Sequence, residues 1–467
     1  MPLDVTALLA TTEGQGHDLF RRHINPRLAQ VLRTIGFDRD YVRGSGAYLW
    51  DSQGNKYLDM ISGYGVFSVG RNHPDIRHAL TDYMNAEYPS LVQLDTPVLC
   101  GLLAEALKRR IPYGLDKVFF TNSGNECIET AIKYARCATA RPAILYCKKA
   151  FHGLSTGALA LNGDESFRSG FDPFLPDCRE VEFDNLESLE QALAAGDVAA
   201  FVVEPIQGKG VNIPASGYLA AASGLCHQYG ALFVADEIQT GIGRTGKFLA
   251  IDHEQGVEPD IVVVSKALSG GFVPVGAVLA KDWIYDKVFS SMDRAVVHSS
   301  TFGKGGFSMI AALATLHCLD EYDLPGNAAR MGQLLGEGIE AMAPRFGFIR
   351  EVRWRGAMLG IEFAAAESLT LRSAWTMAHK LDQNLFPQAI TMPLLNDHHV
   401  LTQVAGHNID VIKLLPPMII SAEDVEWFLR AFEDVMIRLH RFPGPVWEAL
   451  SRIGKYALRS RRSKAAS

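Results

Sequence analysis

Seven cysteines occur in 467 residues, and no two of them stand in a Cys-x-x-Cys pair. Cys100, Cys127, Cys137, Cys147, Cys178, Cys226 and Cys318 are odd in number and scattered, which excludes a disulfide frame or a sequence-encoded zinc knuckle and leads us to expect free thiols in a reducing compartment. No stretch approaches the ~18 consecutive apolar residues that a membrane span needs. Met1 to Gly14 has no basic region followed by an apolar core, so secretion and anchoring are not expected and a cytoplasmic location is. An excess of positive charge is missing too. Lys and Arg number 45 against 52 Asp and Glu, a net charge of −7, and the body has no electrostatic claim on nucleic acid. Repeats and low-complexity tracts are absent. What remains is the composition of an ordinary globular protein: 48% hydrophobic, 21% charged, 42 Gly and 21 Pro, long enough for two or three domains.

From about Ala199 onward, short β-branched runs alternate with longer helical patterns: Ala199 to Val203, Ala231 to Ala235 and Ile261 to Val264. Such wholly apolar strands between helices indicate an α/β fold whose mostly parallel sheet is covered on both faces. Earlier strands are expected at Lys117 to Thr121 and Ala143 to Cys147. The block Tyr48 to Asp59 reads as a hairpin outside that sheet, and strands are expected at Gly360 to Phe363 and around Val411 to Leu415. The division that follows is a large domain over 75–330 and a smaller α+β domain built from 1–74 and 331–437, with a tail over 438–467.

Open α/β sheets place ligands beyond the carboxyl ends of their strands, so the residues there carry the chemistry. After Phe120 come Thr121, Asn122, Ser123, Gly124 and Asn125 at the start of a helical pattern, a cradle of backbone N–H groups suited to a phosphate. After Cys147 come Phe151, His152 and Gly153, where an aromatic face could cover a planar ring. Asp236 ends an otherwise apolar strand and needs a partner, for which a protonated ring nitrogen is suitable. Lys266 emerges from Val262 to Ser265. A lysine in such surroundings has a lowered pKa, and its free amine is the nucleophile that forms Schiff bases. Each feature alone has a plainer structural reading as a cap, a turn or a snorkelling side chain. Together they describe a site for pyridoxal 5'-phosphate (PLP).

On these residues, and on Glu204 to Gly208, Asp236 to Gly241, His298 to Thr301 and Leu415-Pro416-Pro417, the chain from Tyr48 to Phe432 resembles the class III, fold-type I PLP-dependent aminotransferases, the group of the ornithine, acetylornithine and 4-aminobutyrate aminotransferases. The resemblance implies that Lys266 holds PLP as a Schiff base and shuttles the proton. It implies that Asp236 pairs with the pyridinium nitrogen and Gln239 lies near the ring hydroxyl. Phe151 would stack on the ring beside His152, with Ser123, Gly124 and Asn125 at the phosphate. Thr301 would reach the phosphate of a neighbouring subunit, which requires a homodimer with shared active sites. Tyr64 and Phe67 are the implied walls of the substrate pocket.

The chain departs from that pattern at Lys413, where relatives acting on ordinary amino acids commonly carry Arg before the Pro-Pro pair. Lysine lacks the planar fork that grips a carboxylate in two places. We therefore expect an amino acceptor without an α-carboxylate, an aldehyde or ketone with an apolar chain, and a pairing of Lys413 with Glu204 when no carboxylate is bound. After Thr301, Phe302-Gly303-Lys304-Gly305-Gly306-Phe307 replaces the usual Gly-Gly-Asn-Pro. An aminomutase or decarboxylase would use the same Lys266 and Asp236. Gly241-Ile242-Gly243-Arg244-Thr245-Gly246 matches G-x-G-x-x-G, the mark of an NAD-dependent dehydrogenase, without a clear helix at its last glycine. Asn396-Asp397-His398-His399 reads as a solvated turn rather than a metal site. The tail from Arg438 sets eight basic residues against Glu448 alone. With Val446, Leu450, Ile453 and Ala457 at helical spacing and Trp447 beside them, it reads as a docked or frayed terminus or as a basic amphipathic helix in weak contact with an anionic membrane or an acidic partner.

Overall fold

The computed structural model describes residues 2–92, 95–444 and 446–448. Its centre is a seven-stranded sheet: β1 (Lys117–Thr121), β2 (Ala143–Cys147), β3 (Cys178–Val181), β4 (Val198–Val203), β5 (Leu232–Asp236), β6 (Ile261–Val264) and β7 (Gly276–Ala280), in the spatial order β1-β7-β6-β5-β4-β2-β3. Every residue of β2, β4, β5, β6 and β7 is buried, as expected for β-branched strands covered on both faces. Only β7 runs against its neighbours, β6 and β1. The carboxyl ends of β1, β2, β4, β5 and β6 consequently meet at one edge of the sheet.

The hairpin Tyr48–Asp51 with Lys56–Asp59 gains Tyr41–Ser45 on one side and Val400–Leu401 on the other, so residues far apart in the chain complete one small sheet. A second small sheet joins Ile349–Arg355, Met358–Phe363, Val411–Leu414 and Gln403–Val404. Helix Leu324–Met342 ties these parts together: Leu324 and Ala328 pack in the core around the large sheet, and Leu335 and Ile339 in the core of the small sheets. A boundary at residue 330 thus falls inside one continuous helix.

One expectation is corrected here. Asn396 to His398 end the helix Leu385–His398 rather than forming a loop, with His399 as its left-handed cap. His398 Nε2 stands 2.8 Å from Asp434, and Asp397 pairs with Arg438 at 2.8 Å. Trp447 lies in the core of the small sheets, only 3% exposed, and donates Nε1–H to the Leu439 carbonyl at 2.9 Å. Trp447 is therefore docked inside the protein, in keeping with the docked-terminus reading of the start of the tail. Leu450, Ile453 and Ala457 lie outside the described residues. No described helix is long and apolar enough to cross a membrane.

Candidate active site

At the shared edge, a cavity of about 190 Å³ is lined by Ser123, Gly124, Asn125, Phe151, His152, Asp236, Gln239 and Lys266, together with Glu204. Nine of the sequence-derived site residues, Glu204 among them, are therefore in one place.

One wall is the start of helix Gly124–Thr139. Ser123 caps it, its Oγ accepting from the Glu126 N–H at 3.3 Å, while the first-turn N–H groups of Gly124 and Asn125 have no intrahelical acceptor. Asn125 Oδ1 accepts from the Leu154 N–H at 3.0 Å and so binds this helix to the loop after β2. That junction requires glycine: Gly153 has φ +132°, and a Cβ there would lie 1.9 Å from Asn125 Oδ1. Packing against Ile238, 2.9 Å from a Cβ built on Gly124, keeps that position small as well.

Asp236 projects from the end of β5. Its Oδ2 lies 2.6 Å from His152 Nδ1, and its Oδ1 accepts from the Ile238 N–H at 3.1 Å. Burial alone would lower the His152 pKa, yet the hydrogen bond and charge of Asp236 outweigh it and raise it. His152 Nε2 is buried with no hydrogen-bond partner. Lys266 follows β6 with φ +30°, a left-handed conformation unusual for a side-chain-bearing residue, and opens the short turn Lys266–Ser269. Ser265 anchors that turn by donating Oγ–H to the Val275 carbonyl at 2.8 Å. Burial lowers the Lys266 pKa, opposed by the charges of Asp236 and Glu204. The result is an amine disposed toward its neutral, nucleophilic form.

Glu204 and Lys413 both reach this region, but no ion pair joins them among the described residues. They meet through Gly208: the Gly208 N–H donates to Glu204 Oε2 at 2.7 Å, and Lys413 Nζ donates to the Gly208 carbonyl at 2.8 Å. The other oxygen of Glu204 accepts from the Phe151 N–H at 2.9 Å. Two backbone donors already satisfy this carboxylate, which removes its need for the cation. Lys413 also lies 3.3 Å from Gln239 Oε1 and 5.5 Å from the Tyr64 ring centre. Burial and the nearby Lys266 push the Lys413 pKa down to about 7.

Tyr64 and Phe67 do not line the Lys266 cavity. They line an adjoining, larger one of about 630 Å³. The link between the two is direct, since Gln239 Nε2 donates to the Tyr64 carbonyl at 3.1 Å. Thr301 sits on an exposed turn and lines neither cavity. Its neighbour Ser300 accepts from Asn122 Nδ2 at 2.7 Å, beside the cap of the phosphate-side helix. In the glycine-rich stretch that follows, a Cβ on Gly303 would lie 2.4 Å from the Phe120 carbonyl and one on Gly306 2.1 Å from the Tyr83 hydroxyl.

Arg244 belongs to the G-x-G-x-x-G stretch and is 1% exposed. Its guanidinium donates to the carbonyls of Ala357 and Pro416, to Ser68 Oγ at 2.6 Å and to Ser62 Oγ at 3.4 Å. No helix begins at Gly246. The glycines serve a buried clamp between parts of the chain, and the dinucleotide reading fails.

A cradle of helix N–H groups, a buried carboxylate facing the same cavity as a flat aromatic, and an unusually disposed lysine fit PLP as a donor set, and the fold is the fold-type I class of PLP enzymes. A family model for class-III aminotransferases matches residues 33–436, and the chain belongs to that family, which uses PLP. It is 35% identical to the aminotransferase PigE of a Serratia species over 472 residues, covering 94% of this chain and 55% of that protein. The chain thus spans about half the length of this curated relative. Among solved structures, the ornithine aminotransferase of Toxoplasma gondii superposes with a TM-score of 0.81 at 26% identity, over 94% of this chain and 99% of that one. A PLP-bound amine transaminase from an uncultivated Pseudomonas species gives 0.76 at 26% identity, over 86% and 95%.

Proposed function

We propose that the chain is a PLP-dependent transaminase that moves an amino group, by ping-pong chemistry, from a small-molecule amine to an acceptor lacking an α-carboxylate. The observation that carries the acceptor assignment is Lys413, whose ammonium is already committed to the Gly208 carbonyl at 2.8 Å and whose pKa is lowered to about 7. A buried, half-titrated point charge with its own carbonyl partner is a poor carboxylate clamp. PLP, when bound, supplies the electron sink. In this reading, Lys266 Nζ anchors the cofactor and then takes and returns the proton at the substrate carbon bearing the nitrogen. Asp236, fixed by His152 and the Ile238 N–H, keeps its ring partner protonated, while Phe151 and Gln239 position the ring. Gly124 and Asn125 hold the phosphate, and Tyr64 and Phe67 wall the substrate side. Thr301 of a second copy completes the site in a cytoplasmic homodimer.

Purified protein is mixed with a panel of amines and amino acids, and loss of the cofactor absorbance near ~420 nm identifies the donors. Acceptors are then ranked by kcat/KM. An aldehyde or ketone ahead of every 2-oxo acid supports the assignment; a 2-oxo acid ahead by orders of magnitude overturns it.

A further inference from the structure

Away from the Lys266 cavity, a histidine, an aspartate and a cysteine converge between two packed helices. His73 caps helix Pro74–Asn85 through Nδ1, which accepts from the Asp75 N–H at a long 3.4 Å, a contact that a metal at Nδ1 would replace; Asp75 lies in the first turn of that helix, and Cys318 belongs to helix Gly306–Glu321. Cys318 Sγ stands 3.6 Å from His73 Nδ1, and one ligand atom from each of the three residues lies within 4.8 Å of the other two. A tetrahedral zinc site, with metal–sulfur near ~2.3 Å and metal–nitrogen near ~2.0 Å, has a sulfur–nitrogen edge of roughly 3.5 Å. The observed separation has that length. Tyr322 donates its hydroxyl to Asp75 Oδ2 at 2.5 Å, the kind of outer contact that orients a ligating carboxylate. Cys318 is fully buried, whereas His73 and Asp75 are partly open and leave an approach from solvent.

We propose that His73 Nδ1, Cys318 Sγ and one Asp75 oxygen bind a zinc-like divalent cation, with water as the fourth ligand. Thiolate and imidazole donors favour zinc over magnesium or calcium. Binding replaces the Sγ proton, which leaves to solvent, and no electron changes hands. The ion would act as a staple behind the turn that carries Lys266: a Cβ on Gly270, which closes that turn, would lie 2.5 Å from Ile76 Cδ1 and 3.2 Å from Thr315 Oγ1. Ile76 follows Asp75, and Thr315 precedes Cys318 by one helical turn.

The test uses the full chain with its cofactor, stripped of metal by a chelator and dialysed. Zn²⁺ is titrated by calorimetry, and Co²⁺ by absorbance in the near ultraviolet, where a cobalt–thiolate bond absorbs. One Zn²⁺ per chain is expected, with Cys318→Ser abolishing the cobalt–thiolate band and weakening Zn²⁺ at least tenfold. Asp75→Asn should weaken Zn²⁺ about tenfold or more. Circular dichroism establishes that each variant is folded; should Cys318→Ser unfold, the wild-type cobalt band and Asp75→Asn decide. No stoichiometric Zn²⁺ uptake by the wild type, or uptake that persists unchanged when Cys318 is replaced, overturns the proposal.

Discussion

His152 comes after β2 and Asp236 ends β5, yet His152 Nδ1 and Asp236 Oδ2 lie 2.6 Å apart with both side chains buried. Asp236 is the partner that raises the His152 pKa against burial, so its loss leaves His152 without a counter-charge. Asp236→Asn is expected to lower kcat/KM by roughly a hundred- to ten-thousand-fold, because an amide cannot keep the ring partner protonated. The same pair leaves a signature in stability. Because the His152 pKa is raised in the fold, its contribution is fully present below the unfolded value of about 6.5 and disappears as pH rises through the folded value. Urea unfolding across that range should show this slope in the wild type and not in His152→Gln.

Lys413 controls acceptor choice if its charge is weak and already bonded. Lys413→Arg, which restores a forked cation, should raise kcat/KM for a 2-oxo acid at least tenfold relative to an aldehyde. In the wild type, with the Lys413 pKa near 7, the ammonium is lost as pH rises through that value, so residual 2-oxo acid turnover should fall there more steeply than aldehyde turnover. Parallel pH profiles for the two acceptor types would refute this.

Gly153→Ala places a methyl group 1.9 Å from Asn125 Oδ1 at φ +132°. Asn125 must give way, and its bond to the Leu154 N–H goes with it. Cofactor affinity, measured by titrating apoenzyme with PLP, should weaken about tenfold, and the protein should lose on the order of 1–3 kcal/mol of stability from the strained backbone.

Arg244→Met removes every donor to the Ala357 and Pro416 carbonyls while filling most of the volume. Two buried acceptors left unsatisfied cost about 2–5 kcal/mol in chemical denaturation. A change below about 1 kcal/mol would contradict the clamp described for this residue.

Glu237 is fully buried, and burial raises its pKa to about 7 from 4.5. Between those values the native state binds the extra proton, so stability falls as pH rises from 4.5 to 7. Glu237→Gln should flatten that slope, by a difference on the order of 3 kcal/mol across the interval.

Much of this architecture could be read from residue order, for a physical reason. A strand buried on both faces must be apolar throughout, so Val262, Val263 and Val264 announce β6, and a charged residue directly beyond such a strand stands out. Lys266 and Asp236 are visible for that reason. Relationships across the chain were not visible. Nothing local in Glu204 or Lys413 shows that Gly208 stands between them, and the glycines around Arg244 imitate a dinucleotide loop because close packing and phosphate binding both demand small residues. The helix Leu385–His398 escaped because Pro393 lies inside it, where a proline ordinarily signals an end. His73 and Asp75 are separated from Cys318 in sequence by every strand of the large sheet and meet it only once two helices pack.

The nineteen-residue helix Leu324–Met342 puts its first turns in one apolar core and its later turns in the other. Neither core can melt without laying bare side chains that the other still needs covered. Heat should therefore undo both lobes in one cooperative step, and any opening of the cleft around Lys266 has to bend this rod or slide along it instead of swinging on a loose linker.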